Sequence, residues 1–145
     1  MSLVLVTGAA GRIGTMLRGG LPERGWALRC LDVVCLRIGT SAEEPTTTRH
    51  LATWLSPDDT VSLVHAALSA PSPGFAVVWG VSANTRNWWD LTSARALGYE
   101  PKDDAEVYAE ALIEVHGEPD LTDPVHARVG GEYTTDAFDA ENFQA

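Results

Sequence analysis

The chain has 145 residues, 45% of them apolar, and ten basic against twenty acidic side chains give it a net charge of −10. That length suits one domain, and that apolar content can bury a real core, which excludes a disordered chain. The acidic balance disfavours nonspecific binding to nucleic acid or anionic membrane. With no basic leader and no apolar run long enough for export or spanning, a cytoplasmic protein is expected.

In chain order, "LVLVTG" is a short apolar β-rich run ending in glycine. "RIGTMLRGGLPERG" follows with Ile13, Met16, Leu17 and Leu21 at helical spacing. "WALRCLDV" is a second strand with Asp32 at its carboxyl end, and "VCLRIG" is a third apolar run. No turn, loop or helix separates these two strands. Parallel strands in one sheet need a crossover of a dozen or more residues, so something that belongs between Asp32 and Cys35 is missing. The two segments also echo each other around Cys-Leu.

"TSAEEPTTTR" is a loop, and Leu51, Trp54 and Leu55 predict a short helix from His50. In "SPDDTVSLVHAALSAP", Ser56 is a helix N-cap, Pro57 takes the first helical position, and Asp58 and Asp59 favour the amino end. Val61, Val64, His65 and Leu68 would form its apolar face. Pro71 and Pro73 end it, and "FAVVWGVSA" is a further buried strand. Helices are expected near 91–97 and 105–115, with an irregular tail over the last thirty residues that needs a surface to lie on.

The glycines of "TGAAGRIG", Gly8, Gly11 and Gly14, sit directly after a strand and at the opening of a helix. There they permit a tight turn and close approach of backbone to a pyrophosphate, whose charge the helix amino terminus favours. Asp32 lies 24 residues after Gly8, where a carboxylate accepts from both adenosine ribose hydroxyls and repels a 2′-phosphate. The pattern points to NAD rather than NADP; the bland reading is a structural turn and an ordinary strand-end acid.

Other constellations are weak. Cys30 and Cys35 stand roughly 16 Å apart on an extended strand, facing opposite sides, and read as buried thiols that do not bridge. His50, His65, His116 and His126 are scattered without metal-ligand spacing, and His65 reads as a core or boundary residue. No metal site is expected. Asp58-Asp59 and Asp103-Asp104 are accounted for by helix starts, and Trp54, Trp79, Trp88 and Trp89 by core or corner packing.

On "LVTGAAGRIG", "LRIGT", "RHLATWLSPDDTVSLVHAAL", "VVWGVSANTRNWWD" and "LGYEPKDDAE", the sequence resembles the NAD-dependent epimerase/dehydratase branch of the extended short-chain dehydrogenases/reductases, and within it the uronate dehydrogenases. The resemblance implies an α/β, Rossmann-like doubly wound parallel sheet, here truncated internally. Residues 1–33 match the amino-terminal cofactor-binding β-α-β unit and 34–145 the carboxyl-terminal substrate-side part of a single domain. It further implies NAD as cofactor, a uronic acid as small-molecule substrate, and oxidation of a hexuronate to an aldarolactone with hydride passed to NAD. Gly8, Gly11, Arg12, Ile13 and Gly14 fall on the pyrophosphate loop and Asp32 on the ribose-binding acid. Thr40 sits where the family commonly has a serine near the sugar, and Arg49 matches the arginine that pairs with the substrate carboxylate, a task suited to a planar bidentate donor.

The departure from the family concerns its catalytic Tyr-x-x-x-Lys pair. Tyr99, Tyr108 and Tyr133 are the chain's tyrosines, none has a lysine four residues on, and Lys102 is its single lysine. No catalytic residue can be assigned, so an impaired or silent oxidoreductase is expected. The alternatives are a noncatalytic nucleotide-binding or self-associating module, which pairs with itself or with a full-length relative through open sheet edges, and a gene remnant.

Overall fold

The computed structural model describes residues 3–7, 12–24, 26–71 and 73–134. The predicted β-α-β unit is present as β1 (Leu3–Thr7), α1 (Arg12–Gly20) and β2 (Ala27–Leu31). The two strands are parallel, with Leu3 opposite Ala27 and Thr7 opposite Leu31. α1 ends at Gly19-Gly20, where Arg24 Nη1 donates to the Gly20 carbonyl at 2.7 Å and satisfies one of the orphan acceptors of a helix end. Met16 and Leu17, expected on the packed face of α1, are exposed.

Asp32 alone separates β2 from β3 (Val33–Ile38). The two successive strands do not pair with each other, as the missing crossover requires. β3 instead lies parallel to β6 (Phe75–Gly80), in register from Val33–Phe75 to Ile38–Gly80. A third parallel pair joins β4 (Thr40–Ser41) to β5 (Trp54–Leu55). Among the described residues the parallel sheet is therefore in three two-stranded pieces, with no ladder across the join.

The predicted helix from His50 is shorter than expected. α2 spans His50–Thr53, and Trp54 and Leu55 leave it as β5. The Trp54 carbonyl explains the change: it accepts from Ser82 N at 2.9 Å and from Asn84 Nδ2 at 2.8 Å, and those long-range bonds replace the next helical turn.

α3 (Pro57–Ser69) has the predicted cap, Ser56 Oγ accepting from Asp59 N at 3.0 Å, and Pro57 in its first turn. Its expected apolar face is wrong. Val61, Val64, His65 and Leu68 are exposed, and the buried stripe is Asp59, Leu63 and Ala66. Helical periodicity allows both stripes, and the choice fell to the β3–β6 pair, against which Leu63 packs so closely that a Cβ on Gly80 would collide with its Cδ2. Leu63 and Ala66 join Leu55, Val78, Ala94 and Tyr99 in the main core, with Val34, Leu36 and Ala76 packed against it from the sheet.

The other face of the β3–β6 pair is covered at its carboxyl end, where Trp79 packs on Trp89, and exposed toward its amino end. Cys35 is a free, exposed thiol rather than a buried one, and Phe75 and Val77 are exposed with it. Alternation places all three on the face opposite Leu36 and Val78. Cys30 has no described side chain.

Beyond β6 the chain forms α4 (Thr92–Ala96), a 3₁₀ turn (Ala105–Tyr108) running into α5 (Ala109–His116), α6 (Pro124–Ala127) and a final 3₁₀ turn (Gly131–Thr134). Among the described residues no helix is long and apolar enough to cross a membrane, and no cluster of His, Cys, Asp or Glu could hold a metal ion.

Candidate functional site

The two residues matched to the sugar side converge. Thr40 and Arg49 line one cavity of about 340 Å³, together with His50, Thr53, Trp89 and Tyr133. Gly39 makes this possible: a Cβ there would collide with the Thr53 carbonyl, so only glycine lets β4 follow β3 so closely past α2. The Thr40 and Thr53 hydroxyls stand 3.4 Å apart, and Thr53 Oγ1 donates back to the Arg49 carbonyl at 3.3 Å.

Arg49 precedes α2, and its guanidinium reaches the carboxyl-terminal segment. Nη1 donates to the Val125 carbonyl at 2.9 Å and Nη2 to the Val129 carbonyl at 2.8 Å. Beside it, His50 Nδ1 accepts from Thr46 N at 3.0 Å, which leaves the neutral ring with its proton on Nε2. Burial, then the Arg49 charge, holds the His50 pKa below the ordinary histidine value. Among the described residues the pocket sets the Arg49 guanidinium beside hydroxyls and a neutral imidazole, a set suited to a polyhydroxylated carboxylate.

A second cavity, of about 400 Å³, lies on the other side of Arg49 and includes Arg86, Trp88, Glu118 and His126. Arg86 is held there by Glu106 at 2.8 Å and Glu118 at 3.1 Å, and those carboxylates raise its pKa. Two buried polar atoms near these cavities have no hydrogen-bond partner, Trp89 Nε1 and His126 Nδ1. An unpartnered buried polar group costs about 1–3 kcal/mol.

Of the cofactor-side residues, Asp32 is not among the described lining of this cavity. Gly8 and Gly11 lie outside the described residues; Arg12, Ile13 and Gly14 are the first residues of α1, where main-chain N–H groups lack helical acceptors. Asp32 is exposed and borders a different cavity, with Val34, Leu36, Val64 and Leu68. It follows the carboxyl end of β2 but precedes the amino end of β3, whereas Thr40 follows the carboxyl end of β3. In doubly wound sheets ligands bind outside the carboxyl ends of the strands. Joining two such strands without a crossover sets the cofactor end of one against the wrong end of the next.

Tyr99, nearest in sequence to the single lysine, is fully buried and donates its hydroxyl to the Val81 carbonyl at 2.9 Å. Burial, then the charges of Asp59 and Asp103, raises its pKa, the opposite of what a tyrosinate base needs. Its role is structural. So is that of Asp59, which does more than favour a helix end: its buried carboxylate accepts from Lys102 N at 2.9 Å and Asp103 N at 3.1 Å. Asp104 caps the 3₁₀ turn at Glu106 N, 2.9 Å, and also accepts from Thr85 N at 2.9 Å, so the second acidic pair does mark a helix start. Asn84 spans the same region, from the Trp54 carbonyl to Ala105 N at 3.0 Å.

Sequence reasoning did not place His50, Trp89 or Tyr133 at the cavity. His50 carried a local signal, since it adjoins Arg49 at a helix start. Tyr133 carried none, because it arrives from a segment 84 residues away from Arg49.

The parallel strand pairs, crossed over by α1 and α3, define a Rossmann-like α/β chain. No protein-family model matches it. It is 41% identical over 102 residues to the uronate dehydrogenase of Agrobacterium fabrum, which covers 70% of this chain and 38% of that enzyme. With the uronate dehydrogenase of Pseudomonas putida it shares 40% over 103 residues, 71% of this chain and 38% of the enzyme. Among solved structures, a glucuronic acid dehydrogenase from Chromohalobacter salexigens matches with TM-score 0.64 and 39% identity over 70% of this chain and 38% of that one. A mutant uronate dehydrogenase of Agrobacterium tumefaciens, complexed with NAD, matches with TM-score 0.59 and 42% identity over 66% of this chain and 36% of that one. The chain is a homologue of the uronate dehydrogenases, and it spans under two fifths of the length of these relatives.

Proposed function

We propose that this chain is a uronate dehydrogenase derivative that keeps a uronate-binding pocket at Thr40 and Arg49 and has lost hydride transfer. The observation that carries the reading is their convergence on one hydroxyl-lined cavity in a chain without a Tyr-x-x-x-Lys pair. In this reading residues 1–33 form the cofactor side and 34–145 the substrate side of one domain. Arg49 pairs with the hexuronate carboxylate, and Thr40 accepts or donates at a sugar hydroxyl. The exposed Asp32 carboxylate suits a ribose diol, so Asp32 and the start of α1, with Gly8, Gly11, Arg12, Ile13 and Gly14, would hold NAD by its adenosine ribose and pyrophosphate. NAD supplies a hydride acceptor when bound; the sequence lacks the Tyr-x-x-x-Lys pair with which the family takes the hydroxyl proton.

Calorimetry with glucuronate and with NAD tests the two halves separately. Saturable glucuronate binding lost in Arg49→Met, and NAD binding lost in Asp32→Ala, are the expected results. NADH formed from glucuronate above a Gly11→Val control would refute the claim of silence.

A second reading, self-association, rests on the uncovered surface. Val61, Val64 and Leu68 on α3, Phe75 and Val77 on β6, and the edge of β3 that pairs with no strand among the described residues present apolar area and main-chain groups of the kind that recruit another strand. Sedimentation should then report an assembly larger than a monomer, with itself or with a full-length relative, and a monodisperse monomer would remove it.

A further inference from the structure

The contact between Arg49 and the carboxyl-terminal segment has a consequence for the proposed uronate pocket. The Nη1 and Nη2 donors that bind the Val125 and Val129 carbonyls are those with which a guanidinium grips a carboxylate in a fork. The Nε side is approached as well. Gly131 adopts φ +56°, and a Cβ there would lie 2.9 Å from Arg49 Nε and 3.2 Å from Nη2. The segment therefore covers the cation from two directions.

Residues 124–134 have the build of a strap. α6 is capped by Asp123, whose carboxylate accepts from Val125 N at 2.8 Å. The following turn is closed by Gly131 N donating to the Arg128 carbonyl at 3.1 Å and by Arg128 Nη1 donating to the Thr134 carbonyl at 3.0 Å. These bonds hold the strap to itself. Its seat on the body is looser: cavities of about 400 and 340 Å³ flank Arg49 on either side, and His126 Nδ1 is buried without a partner. Native interiors leave few voids larger than a water.

We infer that residues 124–134 are a built-in competitor for the Arg49 guanidinium, so that a carboxylate ligand enters the pocket only as the strap lets go. A carboxylate satisfies the two donors that these carbonyls occupy through charge-assisted bonds roughly twice as strong. The inference rests on the reading of Arg49 as a carboxylate site, and adds that the same donors regulate access to it.

The test is hydrogen exchange by mass spectrometry on the full chain, with glucuronate and with neutral glucose, paired with calorimetry. Glucuronate should accelerate exchange of amides in residues 124–134, and glucose should not. Binding energies are reciprocal, so loosening the strap must tighten the ligand. Gly131→Val, which strains the backbone and intrudes on Arg49, and Asp123→Ala, which uncaps α6 away from Arg49, should each raise strap exchange and strengthen glucuronate binding by about tenfold. Glucuronate binding with unchanged or slowed strap exchange, or variants that bind no tighter, would overturn the competition while leaving Arg49 as a carboxylate site. Failure of glucuronate to bind the full chain and both loosened variants would overturn the carboxylate reading, and the competition with it.

Discussion

The two ends of β3 behave differently. At its carboxyl end, Thr40, Arg49 and Thr53 are gathered by Gly39, α2 and the β4–β5 pair, and buttressed by Ser82, Asn84 and Asp59, all of which lie on one side of the join. At its amino end, Asp32 sits exposed beside an apolar groove formed by Val34, Leu36, Val64 and Leu68. A pocket whose described scaffold lies downstream of the join forms without the missing segment. A site that needs the carboxyl ends of β2 and β3 on the same edge does not.

The largest expected effect contrasts the two stripes of α3. Leu63→Ala should cost about 2–5 kcal/mol in denaturant unfolding, as for other fully buried leucines. Leu68→Ala, on the uncovered stripe, should stay within about 0.5 kcal/mol. A large loss at Leu68 would mean that this stripe is buried in an assembly. Next, Asp59→Asn replaces a carboxylate that accepts two main-chain N–H groups with an amide offering one acceptor, and should cost about 1–3 kcal/mol. Ser56→Ala removes both the α3 cap and the bond from Ser56 Oγ to Asp103, and should cost roughly 1–2 kcal/mol. An Asp59 loss no larger than that of a surface aspartate would show that the scaffold near the pocket does not depend on it.

The smallest effect is a pH dependence. The folded His50 pKa is lowered from 6.5 by burial and by Arg49, so between the folded value and 6.5 the unfolded chain binds the extra proton. Stability should therefore rise with pH through that window and level off above about 6.5, and His50→Gln should flatten the slope there. Asp90, Asp104 and Asp120, with pKa values lowered by their Thr and backbone hydrogen bonds, act below 3.8 and leave a separate acid limb. A slope unchanged in His50→Gln would show that this imidazole is not shielded by the pocket.

Much of this was legible locally. Ser56-Pro57 marked the start of α3 because a cap is a three-residue hydrogen bond, and "LVLVTG" to "RCLD" marked β-α-β because periodicity and glycine placement are short-range. The abutment of β2 and β3 was legible for the same reason. Which stripe of α3 is buried was not, since Val61, Val64 and Leu68 are as apolar as Leu63 and Ala66. Nor was the exit of Trp54 from α2, which depends on Ser82 and Asn84, nor the exposure of Cys35, which depends on which sheet face is covered.

By itself the sequence determined the parallel α/β class, the NAD-type loop, the acid at Asp32, the candidate pair Thr40 and Arg49, and the lack of a Tyr-x-x-x-Lys pair. The loop, the acid and the missing pair are matters of residue type at short spacing, whereas Thr40 and Arg49 are candidates by the resemblance to the uronate dehydrogenases. Only the tertiary structure decided that Thr40 and Arg49 share a cavity, that Asp32 stands at the other end of β3, and that main-chain carbonyls of residues 125 and 129 occupy the arginine. Those outcomes depend on where distant segments come to rest, and main-chain acceptors carry no side-chain signature from which such a contact could be read.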